Sequence, residues 1–465
     1  MIASNDDTIG AISTPLGEGG IGIIRLSGRD AIHIAECIFS SPKDKTLSGQ
    51  ESHRIIYGRI HDPATGARID EVLVTIMKSP SSYTREDVVE INCHGGMVPL
   101  RETFELVLRY GARMAEPGEF TRRAFLNGRI DLSQAEAVLD LIRAKTEESR
   151  RIALEQLQGG LSKKITELRD SLAQICAQAE AHIDFPEDEI EPASEKHLLE
   201  STVRIERELE DLLKTFREAR FFREGLSTTI VGRPNVGKSS LLNSLLKRDR
   251  AIVTDMPGTT RDVIEEYLNI HGLPLRIMDT AGIRDVSDVA EREGVMRSLS
   301  SIEHADLVIA LFDSSEPLND QDLQVLDKIR GRNALIVLNK NDLACALDKA
   351  DMKRLRADHH RPVVHISATG GNGLDTLKTS IFESCLKDWK EEREGIVVSN
   401  LRHKTAIEHA RSALTRGRGL LTGNQPLEFL ALEFRDALDH LGEIVGTVTA
   451  DDILDMIFND FCIGK

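Results

Sequence analysis

Apolar residues along this chain repeat with three different rhythms. Up to about residue 120, short strand-like runs such as Ile21–Leu26 and Val88–Cys93 alternate with turns, and Met97–Tyr110 reads as a helix closed by Gly111. From about residue 131 the spacing changes to threes and fours. Leu154, Leu157, Leu161, Ile165, Leu168, Leu172, Ile175 and Ala179 form one stripe, expected on a single long helix. Ile205, Leu209, Leu212 and Phe216 form a second, beyond the acidic, proline-containing stretch Phe185–Pro192. Helical spacing returns after residue 400 with Leu427, Leu430, Phe434, Leu438, Leu441 and Ile444. Between these helical parts, the runs Thr228–Val231, Leu307–Phe312, Ala334–Leu338 and Val363–Ile366 alternate with helical stretches, the rhythm of a doubly wound, mostly parallel sheet.

A lone apolar stripe does not hold a helix in water, so the helical segments on either side of the middle region are expected to pack together. The predicted organisation is an α/β multidomain protein. It has a small α/β domain at 1–122, a helical domain in two parts at 123–220 and 385–465, and an inserted nucleotide-binding domain at 221–384.

Composition narrows the class. The chain has 465 residues, 40% hydrophobic and 29% charged, enough to bury more than one core. It holds no apolar run long enough to span a bilayer, and Met1–Gly10 lacks the layout of a signal peptide, so a cytoplasmic location is expected. The six cysteines are scattered, which favours reduced thiols over zinc or disulfides. A net charge of −17 argues against broad, non-specific nucleic-acid binding, leaving only local basic clusters. Arg122, Arg123 and Arg129 form one and Arg402, His403 and Lys404 another; each reads first as a solvated face. Only 4% of residues are aromatic, too few for an extended base-stacking platform.

The chemistry lies in the middle region. Gly232-Arg233-Pro234-Asn235-Val236-Gly237-Lys238-Ser239 follows an apolar strand and fits the P-loop pattern. Its backbone N–H groups are expected to cradle phosphate, with Lys238 reaching the β- and γ-phosphates and the Ser239 hydroxyl on magnesium. Asp279-Thr280-Ala281-Gly282 ends another apolar strand, where a carboxylate can hold magnesium through water. Asn339-Lys340-Asn341-Asp342 ends a third. There Asp342 can accept two hydrogen bonds from the amidine edge of guanine, which adenine lacks. Ser367-Ala368 closes the last strand and offers a backbone N–H to the guanine carbonyl. In this order, the motifs resemble the translation-factor-like branch of the Ras-type GTPases.

Catalysis departs from the Ras pattern. Ile283 stands where Ras-like enzymes place the water-orienting glutamine, and Asp285, Asp288, Glu291 and Glu293 beyond it are acidic candidates or simply an exposed loop. In Thr254-Asp255-Met256-Pro257-Gly258-Thr259-Thr260, Thr260 is the expected second hydroxyl on magnesium. The oxygens of this segment, with the Asn235 side chain, make a set suited to potassium. That ion would supply charge where other GTPases place an arginine. The expected GTP-binding set is completed by Val236, Gly237 and Ser240 of the P-loop region.

Over nearly its whole length the sequence resembles the MnmE (TrmE) family of tRNA wobble-uridine modification GTPases. The resemblance is carried by Asp7-Thr8-Ile9, by Gly19–Gly28, by the block Pro117–Leu132, and by the ending Phe461-Cys462-Ile463-Gly464-Lys465. It implies an N-terminal domain that dimerises and binds a tetrahydrofolate, either the 5-formyl or the 5,10-methylene form. It also implies a potassium-stimulated GTPase activated when two G domains of a homodimer meet. A flavoprotein partner, MnmG, would carry FAD, and the target would be carbon 5 of the wobble uridine of certain tRNAs, with a carboxymethylaminomethyl-type group installed. By the same resemblance, Asn235, Thr254, Met256 and Thr259 hold potassium, Ser239 and Thr260 hold magnesium, and Glu291 orients the attacking water. Arg25, Glu90, Arg129 and Lys465 bind the folate.

Two departures stand out. Arg129 occupies a position where the family accepts lysine, and Glu18 and Arg85 lie in loops where its pattern accepts Arg and Gly. Near the end, Thr449-Ala450-Asp451-Asp452 reads as a capping box, and Ile453, Ile457 and Phe461 as the docking stripe of the last helix. Cys462 is either a nucleophile or a buried thiol. The competing class is a GTP-dependent switch that binds RNA or assists ribosome assembly. Such proteins usually carry a basic appendage after the G domain, where this chain has an apolar helical stripe.

Overall fold

The structure, a computed structural model, describes residues 7–42, 45–184, 195–249, 266–278, 301–356, 363–386, 395–423 and 425–465. These fall into two compact units, one formed by residues up to Leu139 together with Leu441–Lys465, the other by Asp140 to His440. Among the described residues no helix is long and apolar enough to cross a membrane.

The first unit is built on a seven-stranded sheet. Its strands are β1 (Ile9–Ile12), β2 (Gly19–Ser27), β3 (Phe39–Ser40), β4 (Arg54–His61), β5 (Arg68–Met77), β6 (Val88–Gly95) and β7 (Arg113–Met114), in the order β3-β4-β5-β6-β2-β1-β7. Only the β1–β7 pair is parallel. Alternation decides the faces. Ile24, Leu26, Ile56, Ile60, Val89 and Ile91 turn inward onto α1 (Ala31–Ile38) and α2 (Met97–Arg109), while their neighbours Arg25, Ile55, Tyr57 and Glu90 turn the other way.

In the same unit, α3 (Glu119–Leu126) and α4 (Leu132–Arg143) follow the sheet, and Phe120 is buried with Ile9, Ala11 and Ala115. Arg123 does not lie on a solvated face. It is 4% exposed and meets Asp7 at 2.5 Å, Glu119 at 3.0 Å and Glu86 at 3.3 Å. Arg122 is paired with Asp455 at 2.9 Å. A buried guanidinium must find acceptors for its five donors, here three acids and the Asp7 carbonyl, and that need is invisible in a local run of basic letters.

The second unit carries α5 (Glu147–Leu157), α6 (Gly160–Asp184) and α7 (Glu195–Glu224). The long stripe read from residue 154 onward is therefore two helices. Gly159, at φ 86°, breaks it, and the buried side of α5 is Ser149, Ile152, Ala153 and Gln156 rather than Leu154 and Leu157. From Leu161 to Ala179 the stripe is buried as expected.

Its sheet comprises β8 (Leu226–Val231), β9 (Glu266–Ile270), β10 (Leu273–Ile277), β11 (Leu307–Asp313), β12 (Ala334–Asn339) and β13 (Val363–His365). They are ordered β13-β12-β11-β8-β10-β9, all parallel except β9. All seven residues of β11 are buried because both faces are covered. Ile309 and Leu311 face α8 (Lys238–Asp249) and α11 (Leu374–Cys385), while Val308, Ala310 and Phe312 face α9 (Asp320–Lys328) and α10 (Lys349–Leu355).

Only Gly225 separates α7 from β8, and Ala219, Phe221 and Phe222 of α7 belong to the same core as the sheet. After the sheet come α12 (Leu401–Thr422) and α13 (Leu427–Val445). α12 packs along α7, with Thr415 donating to Glu206 at 2.8 Å and Arg418 paired to Glu206 at 3.2 Å. His403, read as part of a solvated basic face, is fully buried in this unit.

The last helix, α14 (Asp451–Asn459), belongs to the first unit and corrects two expectations. Its N-cap is Ala450 and no side chain caps it, so there is no capping box. Asp451 and Asp452 instead occupy the first turn, where the helix field favours negative charge. Its buried side is Leu454 and Phe458, which with Phe461 just beyond the helix pack on Leu132, Ala135 and Leu139; Ile457 is only partly covered.

Candidate functional site

The P-loop, Asn339–Asp342 and Ser367-Ala368 lie at the carboxyl ends of parallel strands, where an open α/β sheet leaves a crevice. The loop after β8 carries positive φ at Asn235 (62°) and Gly237 (99°), around a buried Val236. Such alternation turns successive N–H groups toward one point and makes an anion nest at the start of α8. A Cβ on Gly237 would lie 2.3 Å from Asn339 Nδ2, so nothing but glycine fits. Lys238 Nζ spans the loop, donating to the carbonyls of Gly232 at 2.8 Å and Arg233 at 2.9 Å. Asn235 is exposed, and Ser239 and Ser240 follow on the first turn of α8.

Asn339, 3% exposed at the end of β12, joins two of these motifs. Its Nδ2 donates to Val236 O at 2.7 Å, and its Oδ1 accepts from Ala368 N at 2.9 Å. The Ala368 N–H, expected to meet the guanine carbonyl, is thus engaged with Asn339, and Ser367 N donates to Asn372 O at 2.9 Å. Lys340 sits in the left-handed region at φ 64°, with Nζ 2.5 Å from Asp313. Burial alone would raise the Asp313 carboxyl; Lys340 and Ser315 hold it below the usual carboxylate range. Asp342 is exposed.

Sequence reasoning did not single out Asp313, nor the anchoring of Arg233 to Glu316 at 2.5 Å and Asp322 at 3.3 Å. Nothing local marks any of these three acids, since each meets its partner only in the folded domain. Thr254, Asp255, Met256, Pro257, Gly258, Thr259, Thr260, Asp279, Thr280, Ala281, Gly282, Ile283 and Glu291 lie outside the described residues.

A second cluster stands in the first unit. Arg25 on β2 faces Glu90 on β6 in direct register, with Nε donating to Oε1 at 2.9 Å. Its Nη1 donates to Gly464 O at 3.1 Å, and its guanidinium lies 5.8 Å from the Phe120 ring. The end of the chain is held here rather than frayed. Ile463 bridges Pro117, Phe120 N donates to Lys465 O at 3.2 Å, and Ser13 Oγ donates to Gly464 O at 3.2 Å. Burial pushes the Lys465 amine down and Arg25 adds to that, while Glu90 and Cys462 oppose it. Cys462 itself is exposed, so it is not a buried thiol.

Arg129 stacks over the Tyr83 ring at 4.7 Å, and the Tyr83 hydroxyl pairs with Thr121 at 2.9 Å. Burial raises the Tyr83 phenol against the opposing pull of Thr121, Arg129 and Arg25. Tyr83 was not anticipated, because it is the partner of residues far along the chain. The set mixes cations, one carboxylate and the half-buried Tyr83 ring under Arg129, with Phe120 fully buried behind it. It suits an anionic ligand with a flat heteroaromatic head, so the residues predicted for folate fit that class of molecule.

Comparison with known proteins identifies two matching family models. Residues 132–462 match the family described as the MnmE helical domain, and residues 8–129 the one described as the GTP-binding protein TrmE N-terminus. The tRNA modification GTPase MnmE of Alkaliphilus oremlandii is 48% identical over 460 residues, covering 99% of each chain. Those of Geobacillus kaustophilus and Bacillus subtilis are 48% and 46% identical over 460 residues, covering 99% of this chain and 99% and 100% of theirs. With a P-loop-type turn braced by Asn339 and full-length similarity at this level, the chain belongs to the MnmE (TrmE) family of tRNA modification GTPases.

Proposed function

We propose that this chain hydrolyses GTP as a potassium-stimulated component of a tRNA-modifying machine. The observation that carries the reading is the Asn339 clamp, which joins the P-loop to the Ser367-Ala368 loop at one end of the sheet. In this reading the nest around Asn235–Gly237 and Lys238 binds the phosphates, and Asp342 reads the guanine edge. Ser239 and Thr260 hold magnesium. Asn235, Thr254, Met256 and Thr259 hold potassium, which supplies positive charge beside the phosphates. Glu291 orients the attacking water.

Residues 221–384 form the GTPase domain inserted between the helical parts 123–220 and 385–465. Residues 1–122 dimerise and, with Lys465, bind a tetrahydrofolate through Arg25, Glu90 and Arg129. That folate would supply a one-carbon unit when bound. The chain acts in the cytoplasm with the flavoprotein MnmG and contributes to a carboxymethylaminomethyl-type group on carbon 5 of the wobble uridine.

GTP hydrolysis by the purified protein, in potassium and sodium buffers of equal ionic strength, tests this. Strong stimulation by potassium alone is expected, and Glu291→Ala should abolish most of it. Equal, slow rates in both salts would overturn the cation mechanism and favour a GTP-dependent RNA-binding switch.

A further inference from the structure

Two loops of the first unit are tied together beside the Arg25–Glu90 pair. Asn127 Nδ2 donates to Thr84 O at 2.7 Å, and Arg85 Nη1 donates to Asn127 O at 3.0 Å. Between these tie points the chain presents Tyr83 and Arg85 from one loop and Arg129 from the other. Arg85 has φ 60°, a left-handed conformation that glycine takes freely and a long side chain seldom adopts. The backbone there has a shape that glycine takes most easily, yet this chain carries an arginine.

Arg85 and Arg129 are both exposed, and among the described residues neither makes an ion pair with a carboxylate. Two exposed guanidinia held side by side make a local positive spot on a chain of net charge −17. Side chains run outward in sequence from the interior. Arg25, half-buried on Glu90, lies against Phe120; Phe120 packs with Tyr83; Arg129 covers the Tyr83 ring; Arg85 is fastened to the carbonyl two residues before Arg129. Among the side chains of this series the one acid, Glu90, sits at the inner end, and the guanidinia of Arg85 and Arg129, with no carboxylate partner among the described residues, sit at the outer end.

We propose that Arg85 and Arg129 form an anion-binding rim that holds the γ-linked glutamate tail of a reduced folate whose head lies toward Arg25, Glu90 and Lys465. This rests on the folate reading of the site given above. Each added glutamate of a polyglutamyl folate brings one more carboxylate, and planar guanidinia are the groups that pair with carboxylates in fork geometry. Arg85 thus selects polyglutamyl over monoglutamyl forms.

Binding of 5-formyl-tetrahydrofolate and of its pentaglutamate to the full-length protein, measured by calorimetry, tests the rim. The wild type should bind the pentaglutamate about fivefold more tightly, the scale of one or two exposed charge pairs. That gain should shrink in roughly 0.5 M salt. In Arg85→Gly, which suits the backbone conformation, the gain should vanish while monoglutamate affinity stays within about twofold. Arg85→Lys should keep part of it. No dependence on tail length in the wild type, or a full gain surviving in Arg85→Gly, would overturn the rim while leaving the folate site standing. Failure of the wild type to bind either form would remove both. Loss of tRNA affinity in Arg85→Gly with the tail effect intact would assign the rim to RNA phosphate instead.

Discussion

Asn339 reaches from the end of one strand to the carbonyl of Val236 in the P-loop, 2.7 Å away, with its amide nitrogen as donor. The same side chain accepts from Ala368, so one buried amide fixes the spacing of a phosphate loop and a base loop. Replacing it by alanine leaves a buried carbonyl and a buried N–H without partners, at a cost of about 2–3 kcal/mol. Nucleotide affinity should fall at least tenfold, because the loops lose their common brace. Titration with a fluorescent GDP analogue and urea unfolding would report the two effects separately; a variant as stable and as tight as wild type would remove Asn339 from this role.

Asp342 is exposed at the end of the same motif, available to a base from solvent. In Asp342→Asn the side chain trades one acceptor oxygen for a donor. Guanine should lose about 2–3 kcal/mol of binding, roughly a hundredfold in Kd. Xanthine, which has a carbonyl where guanine has its amino group, should gain. Competition between GTP and xanthosine triphosphate measures the exchange, and unchanged preference would show that Asp342 does not read the base.

Arg123 holds three acids in the first unit, and Arg113 joins Asp7 and Glu119 to the same network. Burial opposes ionisation of Asp7 and Glu119, but the two arginines more than compensate and keep both carboxyls below their usual values of 3.8 and 4.5. A depressed carboxylate stabilises the fold above its unfolded value, and that contribution is lost as pH falls through the folded one. Arg123→Met should therefore cost about 3 kcal/mol at neutral pH. It should also flatten the loss of stability between about pH 5 and 3. Urea midpoints of both proteins across that range would show it.

His94 lies opposite in sign. Its Nδ1 is 2.6 Å from Asp70, whose hydrogen bond and charge raise the imidazole above its ordinary 6.5. The stabilisation is complete below that unfolded value and disappears as pH rises through the folded one. A proton NMR titration should place His94 above 6.5, and Asp70→Asn should return it toward the ordinary value.

The nucleotide loops were legible because their chemistry is local. Glycine, asparagine, lysine and serine at fixed spacing after an apolar strand determine a turn and an anion nest within eight residues. Strands buried on both faces were legible for the same reason, as unbroken apolar runs. Contacts between distant segments were not. Arg123 and His403 looked like surface charge until the packing of other elements enclosed them. The stripe through Leu154 and Leu157 failed because helical spacing carries across a glycine break on paper but not in space. Thr449 has the letters of a cap, yet the helix starts one residue later, where Asp451 and Asp452 still meet the helix field. Tyr83 and Arg85 matter only through loops more than forty residues away, and no local pattern announces that.

The single-residue joint at Gly225 has a mechanical meaning. α7 is 30 residues long, about 45 Å at the helical rise, and its last turns are built into the core of the nucleotide-binding sheet. A shaft embedded at one end turns with its socket. Tilting the sheet by about ten degrees would sweep the far end of α7 through roughly 8 Å, a displacement larger than one helical turn. α12, clamped to the shaft through Glu206, would be carried along. A small tilt of the sheet would thus reach the far end of the helical part as a larger displacement.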